Sequence, residues 1–114
     1  MVSDHQDVMT VTTPTISGMR VDRTYGTVWG LVVRSRGLGG NVVAGLRSLA
    51  GGEIKEYTEL SENARQSAVE RLKSHAAELG ANAVLSLRFD SSELGQTMSE
   101  IVAYGTAVAV VPEP

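Results

Sequence analysis

Residues 52–80, GEIKEYTELSENARQSAVERLKSHAAELG, run straight into ANAVLSLRFD, residues 81–90, and this junction decides the fold. From Ile54 the apolar positions fall at Tyr57, Leu60, Ala64, Ala68, Val69, Leu72, Ala76 and Leu79. Steps of three and four put them on one stripe of a 3.6-residue period, so the stretch predicts a long amphipathic helix. Glu53 and Glu56 stand where the positive end of the helix dipole favours carboxylates, although Thr58 or Ser61 could cap a later start. Gly80 follows Leu79 at the place where a left-handed residue ends a helix. From Ala83 the period drops to two. Ala83, Leu85, Leu87 and Phe89 alternate with Asn82, Val84, Ser86 and Arg88, which predicts a strand of about eight residues.

Working outward on the C-terminal side, DSSELGQ (residues 90–96) reads as a turn, and Thr97 to Val111 as a long last strand. Its faces differ in size. Ile101, Ala103, Gly105, Ala107 and Ala109 are mostly small, so the helix can pack closely across them. Val102, Tyr104, Val108 and Val110 are bulky and point the other way. One helix covers one side of a sheet, and burying each full-sized side chain on the other side stabilises by about 1.5–3 kcal/mol. Such a patch marks an interface, so a homo-oligomer is expected. The rival is a short helix of the same chain folded over that face.

On the N-terminal side, Met19 to Arg34 alternates as a long strand. Val21, Tyr25, Trp29, Leu31 and Val33 share one face; Thr24, Gly26, Val28, Gly30 and Val32 share the other. The two glycines permit a bulge, a bend or close approach of another backbone. Val11 to Thr13 reads as a brief edge strand stopped by Pro14. Residues 1–10 look like a flexible extension, leaving residues 11–114 as a single domain. Between the long strand and the long helix, SRGLGGN (residues 35–41) forms a glycine-rich turn. Asn41 then caps a short helix over Val42–Ala50 that Gly51-Gly52 ends.

The chain of 114 residues is 42% hydrophobic and 20% charged, ordinary for one globular domain. It has no cysteine, which excludes disulfides and thiolate metal sites. The start carries acids and no apolar run, and no stretch approaches the roughly 20 apolar residues of a membrane span. A cytoplasmic protein without membrane partners is expected. The net charge of −3 argues against general nucleic-acid affinity. Arg20, Arg23, Arg34, Arg36 and Arg47 do cluster against Asp22 alone, and a basic segment could meet phosphate. With one Trp, three Tyr and one Phe, however, the chain has no set of aromatics for stacking bases.

The chemistry-bearing motifs are few. Gly37-Leu38-Gly39-Gly40-Asn41 follows a strand and opens a helix, but Val42 stands where the dinucleotide fingerprint needs a third glycine. Free N–H groups at a helix start attract anions, which makes Gly39, Gly40 and Asn41, with Arg47, a candidate anion or nucleotide site; a plain turn is the other reading. Ser61, Ser67 and Ser74 have only His75 as a base, and neighbours on a helix point about 100° apart, so Ser74 and His75 form no nucleophile–base pair. No catalytic residue, cofactor or enzymatic activity is assigned. His5 and His75 are the only histidines, so the metal ligands remain unknown unless copies converge on a ring axis.

Several runs carry a family resemblance. Thr12-Thr13-Pro14 with Ile16 and Gly18 is followed by Val33-Arg34-Ser35, Ala44-Gly45-Leu46-Arg47 and Gly51-Gly52. Leu79-Gly80-Ala81-Asn82-Ala83-Val84, Arg88-Phe89-Asp90 and Ala103-Tyr104-Gly105-Thr106-Ala107-Val108 complete the set. Over roughly Val11 to Val111 the chain resembles the YbjQ-like family of uncharacterised bacterial proteins, which is labelled heavy-metal-binding. The resemblance implies an α+β, two-layer β-α-β-β subunit, dodecin-subunit-like. Its three-stranded antiparallel sheet would have order 1-3-2, the last strand in the middle, beside one long and one short helix. It also implies a homopentamer. The expected protein is therefore a ring-forming binding or scaffold module whose partner is itself. A metal-binding protein with ligands shared between subunits is the alternative, and an anion or nucleotide binder at the glycine-rich turn the next.

Overall fold

The computed structural model describes residues 7–35, 55–95 and 98–114, with the side chains of the helix from residue 58 onward. Strands β1 (Met9–Thr10) and β2 (Met19–Ser35) precede helix α1 (Lys55–Leu79), which is followed by β3 (Ala83–Leu94) and β4 (Met98–Pro112). The strands form one sheet in the order β1-β3-β4-β2. β4 runs antiparallel to both long neighbours, and β1 runs parallel to β3. This corrects the expected three-stranded antiparallel sheet with two helices: the sheet has four strands and is mixed, and α1 is the one helix among the described residues. The short helix expected over Val42–Ala50 lies outside those residues.

The fourth strand arises from residues expected to be part of a loose extension. Residues 1–6 of that extension are outside the described ones. Val8, however, is buried in the core. The amides of Met9 and Val11 donate to the carbonyls of Asn82 and Val84 at 3.0 Å each. The edge strand thus lies before the expected Val11–Thr13. Past Val11 the pairing goes on irregularly: the Leu87 amide donates to the Val11 carbonyl at 2.9 Å and the Ser86 amide to the Thr13 carbonyl at 3.0 Å, where Ser86 has a φ of 55° and the register with β4 shifts between Leu85 and Arg88.

Helix α1 ends as its sequence predicts. Gly80 has φ 93°; its amide donates to Ala77 at 3.0 Å, and the Ala81 amide reaches back to Ala76 at 3.0 Å. These two bonds satisfy carbonyls that the last turn would otherwise leave open. The face of α1 on the sheet is Ala64, Ala68, Leu72, Ala76 and Ala77, all buried. Leu60 and Leu79, expected on the same stripe, are exposed. The buried stripe is rich in alanine because the helix backbone rides close to β2: a Cβ on Gly30 would lie 2.5 Å from the amide nitrogen of Leu72. The small face of β4 takes part as expected, with Ala103 and Ala107 fully buried in the same core as Val28, Val32, Val84 and Leu87.

Register shifts, two in β2 (the first between Val21 and Arg23) and one in β3, reassign side chains between faces. The register of β2 on β4 shifts between Thr24 and Gly26, the latter with φ 117°, so Tyr25 packs into the core beneath the helix instead of sharing Trp29's face. In β3 the shift after Leu85 sends Leu87 into that core too, while Ala83 and Leu85 stay on the opposite side. The hairpin is also longer than expected, since Asp90 to Leu94 are strand.

The opposite face is only partly bare. Val108 and Val110, expected to be wet in a single copy, are 1% and 7% exposed. The segment between β1 and β2 crosses beneath them, and its Val11 and Ile16, with Met19, pack on Ala83, Leu85, Val108 and Val110. The chain thus owns a second lid, made of its N-terminal segment, which the sequence reading did not foresee.

Candidate functional site

Beyond the reach of that lid the face stays open. Cross-strand registers set Trp29 beside Tyr104 and Arg88, Leu31 beside Val102 and Asp90, and Val33 beside Glu100 and Ser92. Residues on one pleat face recur every second position, so these rows form a single patch, apolar along β2 and β4 and polar along β3. Trp29 is 54% exposed, Val33 48%, Leu31 40% and Tyr104 40%; Val102 is half-buried. Apolar side chains grouped this way on a rigid sheet, with charges at one rim, have the make-up of an interface.

The patch reaches the free edge of β2, where helix side chains take up strand backbone groups. Arg71 donates from its guanidinium to the Leu31 carbonyl at 2.6 Å. His75 Nδ1 lies 3.3 Å from both the amide nitrogen and the carbonyl oxygen of Trp29. A residue in an antiparallel ladder aims both backbone groups at its partner or both away, so Trp29 and Leu31 turn theirs away from β4, toward α1's overhanging side chains. The imidazole also stands edge-on to the indole, centroids 4.7 Å apart and planes at 85°. His75, Arg71, Ser74, Glu70 and Glu78 line a shallow hollow of about 280 Å³ there. His75 is thus a clamp on the sheet edge. Its spacing of four from Arg71, beside the apolar stripe, was the available signal.

A larger cleft, about 650 Å³, opens at the other end of α1, between its early turns and the protruding strand ends. Val32, Leu60, Ala64 and Ile101 give it an apolar floor, with Arg34 and Arg65 on opposite walls. Arg34 donates to the Ser67 hydroxyl at 3.4 Å, and Arg65 lies over the Phe89 ring at 5.3 Å. The arginines that looked like one basic segment are therefore dispersed: Arg20 pairs with Asp22 at 3.4 Å, and Arg23 lies over Tyr25. Arg36 falls outside the described residues.

The candidate anion residues Gly39, Gly40, Asn41 and Arg47 also lie outside the described residues, as does His5. Among the described residues, no three His, Asp or Glu side chains come together as a metal cluster. One chain there supplies at most part of a metal shell. No helix among them is long and apolar enough to cross a membrane.

Comparison with known proteins gives the chain its relatives. The model of the family YbjQ_1, described as "Putative heavy-metal-binding", matches residues 8–111. A UPF0145 protein of Thermoplasma acidophilum is 64% identical over 104 residues, covering 91% of this chain and 87% of its own. One of Methanocella arvoryzae is 57% identical over 108 residues, covering 95% and 90%. One of Bradyrhizobium is 55% identical over 105 residues, covering 92% and 95%. The relatives thus include archaea, which corrects the expectation of a bacterial family. A crystal structure of a protein of unknown function from Pediococcus pentosaceus, placed in the DUF74 family, shares the fold at a TM-score of 0.59 and 13% identity, covering 91% of this chain and 98% of that one. The match over nearly the whole length, with relatives this similar, makes this chain a member of the uncharacterised YbjQ-like UPF0145 family.

Proposed function

We propose that the protein is a self-assembling binding or scaffold module, a homo-oligomer whose subunits meet through the open sheet face; the family resemblance makes a pentameric ring the preferred form. The observation that carries this reading is the exposure of Trp29, Leu31, Val33 and Tyr104 in one patch of a well-packed sheet. Covering each such side chain with a neighbour is worth up to about 1.5–3 kcal/mol, enough in sum to hold copies together. Sedimentation velocity and light scattering test it. Wild-type protein should run as a closed oligomer, and Leu31→Glu with Tyr104→Glu should run as a folded single copy. A wild type that stays a single copy at high micromolar concentration overturns the reading.

A metal ion shared between subunits is the second reading. It is supported by the family's description and by an orientated histidine, His75, beside the same patch.

A further inference from the structure

At the early turns of α1 the core lies open at one end. Val32 and Ile101 pair across β2 and β4, and Arg34, Ser99 and Glu93 form the next row on the same pleat face. This is the face that α1 touches at Gly30. Farther out, Leu60, Ala64 and Arg65 of α1 stand across from these rows over a cleft of about 650 Å³, within the roughly 300–1,000 Å³ of small-molecule sites. Val32 and Ala64 are buried and Ile101 packs against the core cluster, so the apolar floor is the core continued. Leu60, on the wall, is 45% exposed. Arg34 borders this cleft on one side and, on the other, a polar hollow lined by Asn63, Gln66, Ser67, Glu70 and Arg71. Among the described residues its guanidinium makes one long bond, to the Ser67 hydroxyl at 3.4 Å, which leaves its other N–H donors for a ligand. Arg65, over the Phe89 ring at 5.3 Å, sets a second cation on the far wall.

We infer that this cleft binds a small amphipathic monocarboxylate, its apolar body on Val32, Leu60, Ala64 and Ile101 and its carboxylate on Arg34. Hydrocarbon is what an apolar floor and wall take up from water, and a planar guanidinium fork matches a carboxylate with two parallel N–H···O bonds. Arg34 stands where the apolar cleft gives way to polar surface, which is where the head of such a molecule belongs. The acids at the cleft define the charge of the ligand. Glu93 lies across Ser99 from Arg34, two strand spacings or about 10 Å away, and turns the β3 side against a second negative charge. Glu100, also at the cleft, belongs to the row of Val33 on the opposite pleat face. One negative head with an uncharged body satisfies these constraints, and a dianion does not. The cleft is on the helix side of the sheet and the Trp29–Tyr104 patch on the other, so the inference stands apart from the self-assembly reading.

The test uses full-length protein as wild type, Arg34→Gln and Leu60→Gln. Both positions are exposed, and circular dichroism verifies folding. Octanoate, octanol and octylamine, each below its micellar or solubility limit, are titrated by calorimetry, and amide shifts of isotope-labelled protein locate the bound molecule. Expected are saturable octanoate binding at one molecule per chain and shifts centred on Ala64 and Ile101. Octanol and octylamine should bind about ten-fold more weakly or worse, because they lack the charge-assisted bonds to Arg34. Arg34→Gln should lose about the same factor for octanoate while leaving octanol unchanged, and Leu60→Gln should weaken both. Absence of saturable octanoate binding by folded wild type overturns the inference, whatever else then covers the apolar floor. So does octanol binding as tightly as octanoate, or either variant binding octanoate like wild type. Shifts centred on Trp29 and Tyr104 would place the amphiphile on the open sheet face and overturn it as well.

Discussion

The carbonyl oxygen of Ala68 lies directly over Gly30, with the amide nitrogen of Leu72 beside it, so the helix touches the strand backbone to backbone. Adding a Cβ at Gly30 would force the two layers apart, because its two nearest neighbours are backbone atoms that have no rotamer to change. Gly30→Ala should cost about 3 kcal/mol, the upper end for overpacking, read as a fall in the urea midpoint. Gly26→Ala meets open space but must adopt a φ of 117°, and should cost less, about 1–2 kcal/mol. Equal midpoints for the two variants would contradict the close approach.

The stripe of α1 is unequal along its length. Leu72 is fully buried, whereas Leu79 is 43% exposed. Leu72→Ala should therefore lose about 2–5 kcal/mol through transfer and cavity terms. Leu79→Ala should stay within about 0.5–1 kcal/mol, as surface changes do. Chemical denaturation of the two variants in the same buffer checks the ratio.

Asn82 ties the start of β3 to the end of β4. Its Nδ2 donates to the Val110 carbonyl at 3.0 Å, and its Oδ1 accepts from the Val110 amide at 2.8 Å. An aspartate there keeps the acceptor and sets a charged oxygen against the carbonyl, so Asn82→Asp should cost about 1–3 kcal/mol at neutral pH. The folded state would favour the protonated acid, which restores a donor, and so would raise its pKa above the unfolded value. The deficit of this variant relative to wild type should then shrink as pH falls and be largest above the folded-state pKa. Urea midpoints of both proteins from pH 4 to 7.5 measure it, and a pH-independent gap would refute the two-bond clamp.

Trp29 is the single tryptophan and touches one imidazole. His75→Gln removes that edge-on ring and should change the intensity and position of Trp29 emission at constant pH, with circular dichroism verifying the fold. An emission spectrum identical to wild type would contradict the contact.

Much of this architecture is legible in the residues. The repeat of Ala64, Ala68, Leu72 and Ala76 gives the helix, Gly80 its end, and the small face of β4 the surface it sits on. The two glycines of β2 each perform one of the tasks their positions suggested: Gly26 makes a bulge and Gly30 the close approach. The Ala-Asn-Ala-Val run, read from sequence as the start of a strand and as a family mark, also supplies the helix exit and a clamp on β4. The candidate anion loop lies outside the described residues, and of the edge site only the spacing of four between Arg71 and His75 was legible. What that pair holds depends on Trp29 and Leu31, the former 46 positions from His75.

The sequence by itself determined the local elements, because helix period, strand alternation and a terminating glycine are properties of neighbours along the chain. It also determined the family, through runs that need no coordinates. Which side chains share a face was decided only in the folded sheet. A single extra residue in a strand reverses the parity of everything after it, and where that residue is accommodated depends on the partner's register. Tyr25 and Leu87 changed sides for that reason, and the short strand at Met9–Thr10 exists only because β3 offers it an edge. The same tertiary relation covered Val108 and Val110 with the chain's own N-terminal segment and left Trp29, Leu31 and Tyr104 bare.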